Sequence, residues 1–249
     1  MEDGNAYSGF AYVYDQLMYD VNYIKWCNFI ENIFKTHGQK PNLVLDLACG
    51  TGSFLIEMAK RGYDMIGVDL SMDMLNCAKQ KSGDLKNILY LNQDIIDFEL
   101  YGTVDAVVCL MDSINYITDK RNLKKLLKKV HNYLNNGGLF IFDINTPYKF
   151  KKILKDNVFY DVSDEISYIW QNYYDSTRKI CQIELTIFKK ENSVYTRMDE
   201  THYERCYEID ELKEIIQNSN LELIDIYDDL ELCKPSQSSQ RVFYVCKKP

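Results

Sequence analysis

The chain has 249 residues, enough to bury a substantial core as one large domain or two small ones, and its 46% hydrophobic and 27% charged content is that of a globular protein. A formal net charge of −8 argues against a polyanion as the main partner, because binding phosphate usually leaves a basic footprint. The eight cysteines (27, 49, 77, 109, 181, 206, 233 and 246) are scattered, form no C-x-x-C pair and often sit in apolar runs such as "AVVCLM", so they read as reduced thiols and not as a disulfide framework or metal site.

The opening "MEDGNAYSGFAYVYD" lacks the basic start and apolar centre of a signal peptide, and no run approaches the ~20 apolar residues that span a bilayer. A cytoplasmic protein with no membrane partner is expected. Residues 22 to 37 place Tyr23, Trp26, Cys27, Ile30, Ile33 and Phe34 at helical spacing, so residues 1–40 are expected to form a helical cap. "NLVLDLAC" reads as a strand, followed by a glycine loop and a helix from about Phe54 to Arg61. "DMIGVDL" is a second strand, and Ser71 is placed to cap the helix "MDMLNCAKQK". "NILYLNQDI" and "DAVVCLM" are the third and fourth strands. A helix capped by Thr118 runs through Leu134 and ends at Gly137 and Gly138, and "LFIFDIN" is the fifth strand. Strands that are apolar on both faces and alternate with helices indicate a parallel α/β sheet covered on both sides.

The alternation stops at about Tyr148. "EISYIWQNYYD", "ICQIELTIFKK" and "SVYTRMDETHYERCY" read as three antiparallel strands, giving an insertion over 148–209. A helix from Asp210 and the strands "LELIDIYDD" and "RVFYVCKK" return to the main sheet, so 41–147 and 210–249 are expected to form one core.

The segment "VLDLACGTGSF" runs a buried strand into an acid, Asp46, and a small-residue loop. Such a loop between strand and helix aims N–H groups at an anion. The dinucleotide pattern G-x-G-x-x-G fits only partly, because with Gly50 and Gly52 as its first two glycines Leu55 stands in the third position, and Asp46 would repel a pyrophosphate. A ligand carrying both an ammonium and a carboxylate suits the site better, and S-adenosylmethionine is one. Asp69, ending "IGVDL", could then accept from the ribose hydroxyls, and Asp94, in "NQDI", from the adenine amine. Each acid alone has a plainer reading as a helix cap or loop residue.

These segments together resemble the motifs of the class I, seven-stranded S-adenosylmethionine-dependent methyltransferases of small-molecule type. "VLDLACGTGSF", "GVDLS", "NQDI", "DAVVCLMDSINYI" and "NNGGLFIFDINTP" are similar to successive motifs, and "ERCYEIDELKEIIQNSNLELIDIYDD" and "FAYVYDQLM" are similar to the family's tail and N-terminal segment. The resemblance implies a doubly wound, three-layer sheet of order 3-2-1-4-5-7-6 with its last strand antiparallel. It implies that Asp46, Ala48, Cys49, Gly50 and Gly52 surround the methionyl end. Asp69 would hold the ribose with Leu70 and Met74 against the rings, Asp94 and the backbone of Ile95 would read the adenine, and Met111 would lie near the sulfonium. Met74 and Met111 could equally be core packing. Tyr7, Tyr12 and Tyr14 lie in the segment that folds over the cofactor in similar enzymes. Ala48 replaces a usual glycine, which suits the turn if its φ is negative.

Methyl transfer needs alignment and exclusion of water but no metal. Asp112, Tyr116 and His202 are candidates for a proton-accepting role, His202 also reading as a surface residue, while Asn115, Tyr116 and Arg241 are candidates for the acceptor site, Arg241 facing an acidic group. The lysines of "DKRNLKKLLKK" fit the solvated side of an amphipathic helix better than a nucleic-acid surface. The expected activity moves a methyl group to N or O of a small molecule, such as a metabolite or a nucleotide-linked sugar amine, leaving S-adenosylhomocysteine. The insertion would serve as a tyrosine-rich substrate lid. An RNA or protein methyltransferase, a non-catalytic cofactor-binding protein and a nicotinamide dehydrogenase are the alternatives.

Overall fold

The computed structural model describes residues 10–249. Strands β1 (Leu43–Leu47), β2 (Asp64–Asp69), β3 (Ile88–Asn92), β4 (Val104–Cys109) and β5 (Leu134–Asn145) form a parallel sheet, which β10 (Glu222–Asp228) and β11 (Arg241–Lys247) extend. The spatial order is β3-β2-β1-β4-β5-β11-β10, with β11 antiparallel to both neighbours. This is the expected doubly wound order, β11 and β10 standing in the seventh and sixth places. Its central strands carry apolar residues on both faces because both faces are covered. Helices α2 (Tyr23–Thr36) and α3 (Ser53–Lys60) pack on Val44, Val108, Ile141 and Phe243. On the opposite face, α5 (Lys120–Tyr133) and α6 (Ile209–Gln217) pack on Leu45, Val107, Phe140 and Tyr244.

In α5, Leu123, Leu126, Leu127 and Val130 are buried, and each such side chain contributes about 1.5–3 kcal/mol by leaving water. Lys124, Lys125 and Lys128 are exposed, and Lys129 meets Asp97 at 3.0 Å, so the basic run is the outer face of a packed helix. The helix begins one residue later than expected, because the carboxylate of Asp119, not Thr118, accepts from the N–H of Arg121 at 2.8 Å. Gly137 and Gly138 do not end it either. The chain passes from Tyr133 straight into β5, and Gly138 runs so close to β4 that a Cβ there would lie 2.6 Å from the Asp105 carbonyl oxygen. Helix α4 (Met72–Ser82) is capped as expected, the Ser71 hydroxyl accepting from the N–H of Met74 at 3.3 Å.

The insertion holds four strands, not three: β6 (Val158–Val162), β7 (Ile166–Asp175), β8 (Ile180–Glu191) and β9 (Val194–Arg205), antiparallel in that order. β6 escaped the sequence pattern because it is a short edge strand whose Val158, Tyr160 and Val162 remain exposed. The inner face of the sheet packs Tyr174, Cys181 and Ile183 on Phe150 and Leu154, and Ile187 on helix α1 (Ala11–Leu17). No helix among the described residues is long and apolar enough to cross a membrane.

Gly67 in β2 sets how closely the glycine loop approaches the sheet, since a Cβ there would stand 2.6 Å from Leu55 Cδ1 and 2.8 Å from Cys49 Sγ. Gly67→Ala should therefore destabilise the fold by about 1–3 kcal/mol through overpacking. A urea midpoint that falls while the m-value stays constant checks this.

Candidate functional site

The loop from β1 to α3 turns through three left-handed residues: Ala48 (φ 61°), Gly50 (φ 54°) and Gly52 (φ 73°). The condition under which alanine would suit this turn without strain, a negative φ, is thus not met. The alanine is held left-handed because the next N–H, that of Cys49, donates to the Val68 carbonyl at 3.0 Å and ties the loop to β2. Gly52 begins α3 and has little room for a side chain, with Ala78 Cβ and the Tyr90 hydroxyl 3.1 and 3.2 Å from where a Cβ would be. The first N–H groups of α3 are consequently presented at the end of β1, where the helix dipole is positive.

Two carboxyls face this loop, Asp46 buried and Asp69 half-buried. Asp69, at the end of β2, accepts from the N–H of Gly50 and from the N–H of Ser71, both at 2.8 Å. Two of its lone-pair positions are thereby used and two remain. Burial raises its pKa, and the backbone N–H donors oppose the rise. Asp46 is buried and has no hydrogen-bond partner for its carboxyl among the described residues. Burial, reinforced by the negative charge of Asp69, lifts its pKa well above the carboxylate range. The arrangement can therefore take up a cation, because a positive group beside Asp46 would restore the charged form. Asp94 lies beyond the end of β3, exposed, its carboxylate accepting from the N–H of Ile96 at 2.8 Å. Asn92 joins the second and third strand ends by donating to the carbonyls of Asp69 and Leu70 at 3.0 and 2.8 Å. The three acids thus stand at the carboxyl ends of three adjacent strands.

Leu70 is 65% exposed, a free apolar surface beside Asp69, and Ile95 is half-buried. Met74, by contrast, is buried against Phe10 and Val13, so packing accounts for its side chain. Tyr14 packs edge-on against Phe10, Tyr12 is exposed, and Tyr7 lies outside the described residues. A residue that sequence reasoning missed anchors α1: Asp15 accepts from the Thr51 hydroxyl at 2.6 Å and from Lys81 Nζ at 2.5 Å, tying the N-terminal helix to the glycine loop.

The ends of β4, β5, β9 and β11 gather a second polar group. Arg241 does not face outward towards an acidic ligand. Its guanidinium binds Asp143 and, at 2.8 Å, Asp112, and lies over the Trp26 ring. Asn115 is likewise a structural clamp rather than a ligand-facing amide. It is fully buried, accepts from the N–H of Asn145 at 2.9 Å and donates to the carbonyl of Arg205 at 2.9 Å. His202 is buried, not at the surface, between the rings of Tyr116 and Phe10, and burial pushes its pKa down to about 4, leaving the imidazole neutral at pH 7. Tyr116 is 39% exposed. Glu204, Asn145 and Lys149, none singled out from sequence, form a chain: Asn145 donates to Glu204 at 3.1 Å and accepts from Lys149 at 2.8 Å. Burial, with repulsion from Asp112, raises Glu204 to about 8. The signal that could have found them is polar residues in buried strands, Asp143 and Asn145 in "LFIFDIN" and the inward-facing alternation of "DETHYER".

Comparison with known proteins bears on this arrangement. A family model described as a methyltransferase domain matches residues 44–138. YqeM of Bacillus subtilis, which carries the name of a methyltransferase, is 35% identical over 97% of each chain. The crystal structure of an S-adenosylmethionine-dependent methyltransferase from Clostridium acetobutylicum superposes with a TM-score of 0.88 at 34% identity, covering 97% of this chain and 98% of that one. The sugar N-methyltransferase KedS8 from Streptoalloteichus shares the fold with a TM-score of 0.83 at 18% identity, covering 100% of this chain and 95% of that one.

The left-handed Ala48 gives a direct check on the loop. Ala48→Gly relieves a strained backbone that costs an alanine about 1–2 kcal/mol, offset in part by the entropy of a glycine, for a net gain of up to about 1 kcal/mol. Chemical denaturation should show a midpoint at or above that of the parent, whereas a lower midpoint would mean that the loop is not left-handed there.

Proposed function

Because this chain belongs to the class I S-adenosylmethionine-dependent methyltransferases, and is an enzyme that uses that cofactor, we propose that it transfers the methyl group to N or O of a small molecule, with a metabolite or a nucleotide-linked sugar amine as the acceptor. The observation that carries the reading of the site is Asp46, a buried carboxyl without a described partner beside a loop whose helix N-terminus favours an anion. An amino acid moiety offers both charges at that spacing. When bound, the cofactor supplies an electrophilic methyl on a sulfonium, displaced in line by the acceptor's lone pair.

The chain's own residues bind, orient and exclude water. Asp46 takes the ammonium, and Ala48, Cys49, Gly50 and Gly52 let the backbone approach the methionyl end. Asp69 holds the ribose hydroxyls with its two remaining lone-pair positions, Leu70 lies against the rings, and Asp94 with the backbone of Ile95 reads the adenine. Met111 faces the sulfonium. Tyr14 closes the groove from α1, which Asp15 fastens to Thr51. On the acceptor side, Tyr116 borders the site, and His202 packs behind it as a neutral imidazole whose pKa of about 4 makes it a weak base, so it shapes the wall and takes no proton from the acceptor. Asp112 is committed to Arg241 and orients the turn after β4.

The segment 1–40, of which residues 1–9 lie outside the described ones, acts as a cap and 148–209 as a lid over the core formed by 41–147 and 210–249. The small-molecule acceptor is supported by the net charge of −8, by the tyrosines on the insertion, and by a fold shared over the whole chain with an enzyme whose name is that of a sugar N-methyltransferase.

Assaying S-adenosylhomocysteine release over a panel of amino sugars, their nucleotide-linked forms, matched alcohols and transfer RNA tests the acceptor, and activity confined to RNA would overturn this reading. Asp69→Ala should weaken cofactor binding at least ~10-fold, about 1.4 kcal/mol, by calorimetry. Asp46 supplies a pH signature. Its raised pKa keeps a proton on the free protein that a bound ammonium displaces, so binding releases a proton and tightens as pH rises towards that pKa. Calorimetry in buffers of different ionisation enthalpy should detect this release in the parent and lose it in Asp46→Asn.

A further inference from the structure

The turn that follows β4 is built from two consecutive left-handed residues, neither of them glycine: Met111 (φ 59°) and Asp112 (φ 53°). L-residues avoid this region, and such a conformation persists only where the surroundings over-determine it. The surroundings here are explicit. Asp143 is fully buried two residues from the end of β5, and its Oδ2 accepts both the backbone N–H of Asp112, at 2.9 Å, and an arm of Arg241. The other arm of Arg241 donates to Asp112 Oδ1 at 2.8 Å. The Ser113 hydroxyl donates to the Leu110 carbonyl at 2.7 Å, and the N–H of Asn115 donates to the Asp112 carbonyl at 2.8 Å. One carboxylate on β5 and one guanidinium on β11 therefore hold both the main chain and the side chain of Asp112.

The turn stands at the edge of the cofactor groove. Val108 of β4 pairs with Asp46 of β1, and Met111 packs in the same apolar cluster as Cys49 of the glycine loop and Phe54 of α3. Burial raises the thiol pKa of Cys109, two residues before Met111, and the charges of Asp143 and Asp46 raise it further, which locates both carboxyls about the end of that strand. Resting on the cofactor reading given above, the geometry assigns Asp143 and Arg241 as positioning residues for cofactor binding, a strut that keeps the Met111–Asp112 turn left-handed and its backbone facing the groove. Neither residue touches the cofactor in this role. Both act through the turn.

Calorimetric titration of the full-length chain with S-adenosylhomocysteine tests the strut. Arg241→Lys keeps a cation beside Asp143 but loses the second arm to Asp112, and should weaken binding roughly 5- to 20-fold while the circular dichroism spectrum stays that of the parent. Adding Asp112→Gly to that variant supplies a residue at ease in the left-handed region, and should bring the affinity back to within about threefold of the parent. A merely structural defect would not be repaired by a glycine at the turn. Asp143→Asn gives a second probe, with an expected loss of at least ~10-fold. Parental affinity in both Arg241→Lys and Asp143→Asn overturns the proposal, as does a double variant that binds no better than Arg241→Lys. Asp69→Ala separates the two ideas. If it loses binding while the strut variants keep it, the strut alone fails; if it too binds as the parent does, the groove reading fails and the strut with it.

Discussion

The carboxyl of Asp46 is buried with no described hydrogen-bond donor, next to a second, half-buried acid, Asp69. An ionised carboxylate in that position would cost several kcal/mol, so burial and the charge of Asp69 push the group towards its protonated form. The surrounding architecture keeps the two acids from escaping this conflict. The N–H of Gly50 fixes Asp69, the N–H of Cys49 fixes the loop to β2, and Gly67 lets the loop lie close against the sheet. A fold whose net stability is about 5–15 kcal/mol tolerates only a few such sites. Here the tension lies where a positively charged group would relieve it, as the proposed cofactor site requires.

The opposite half of the site follows a different logic. Arg241, Asp112 and Asp143 are mutually paired, and Asn145 joins Lys149 to Glu204 without a direct ion pair between them. These groups come from β5, β9 and β11 and the two turns that follow β4 and β5, so the polar network also fastens the insertion to the core. Asn115 strengthens that seam by bonding the backbones of Asn145 and Arg205. The network at the ends of β4 and β5 and the attachment of the insertion to the core are thus made of the same residues.

Much of the core was legible because its signals are local. Apolar strands ending in Asp46, Asp69 and Asp94, a Gly50–Gly52 loop and the lysine-backed stripe of α5 each occupy a short window. The sheet order itself was legible only through the family resemblance. The conformation of Ala48 is decided by the strand beside it, and the cap at Asp119 differs from the expected one by a single position, which no pattern resolves. Arg241 read as an outward-facing charge because its partners lie about a hundred residues away in sequence. Glu204 and Asn145 meet through strand register, and a period-two alternation shows which face a residue takes but not what waits there. β6 was missed for the contrary reason, since an exposed edge strand carries no buried stripe.

β11 follows β10 in the chain yet lies between β10 and β5. During synthesis, the apolar flank of β5 with Phe140, Phe142 and Ile144 stays open until β11 emerges, and β10 has nothing to pair with before then. Arg241 is the first residue of that late strand. With Arg241 holding the turn after β4 as proposed, competence for the ligand waits on the pairing of β11 with β5, and the open edge of β5 is where a chaperone would act.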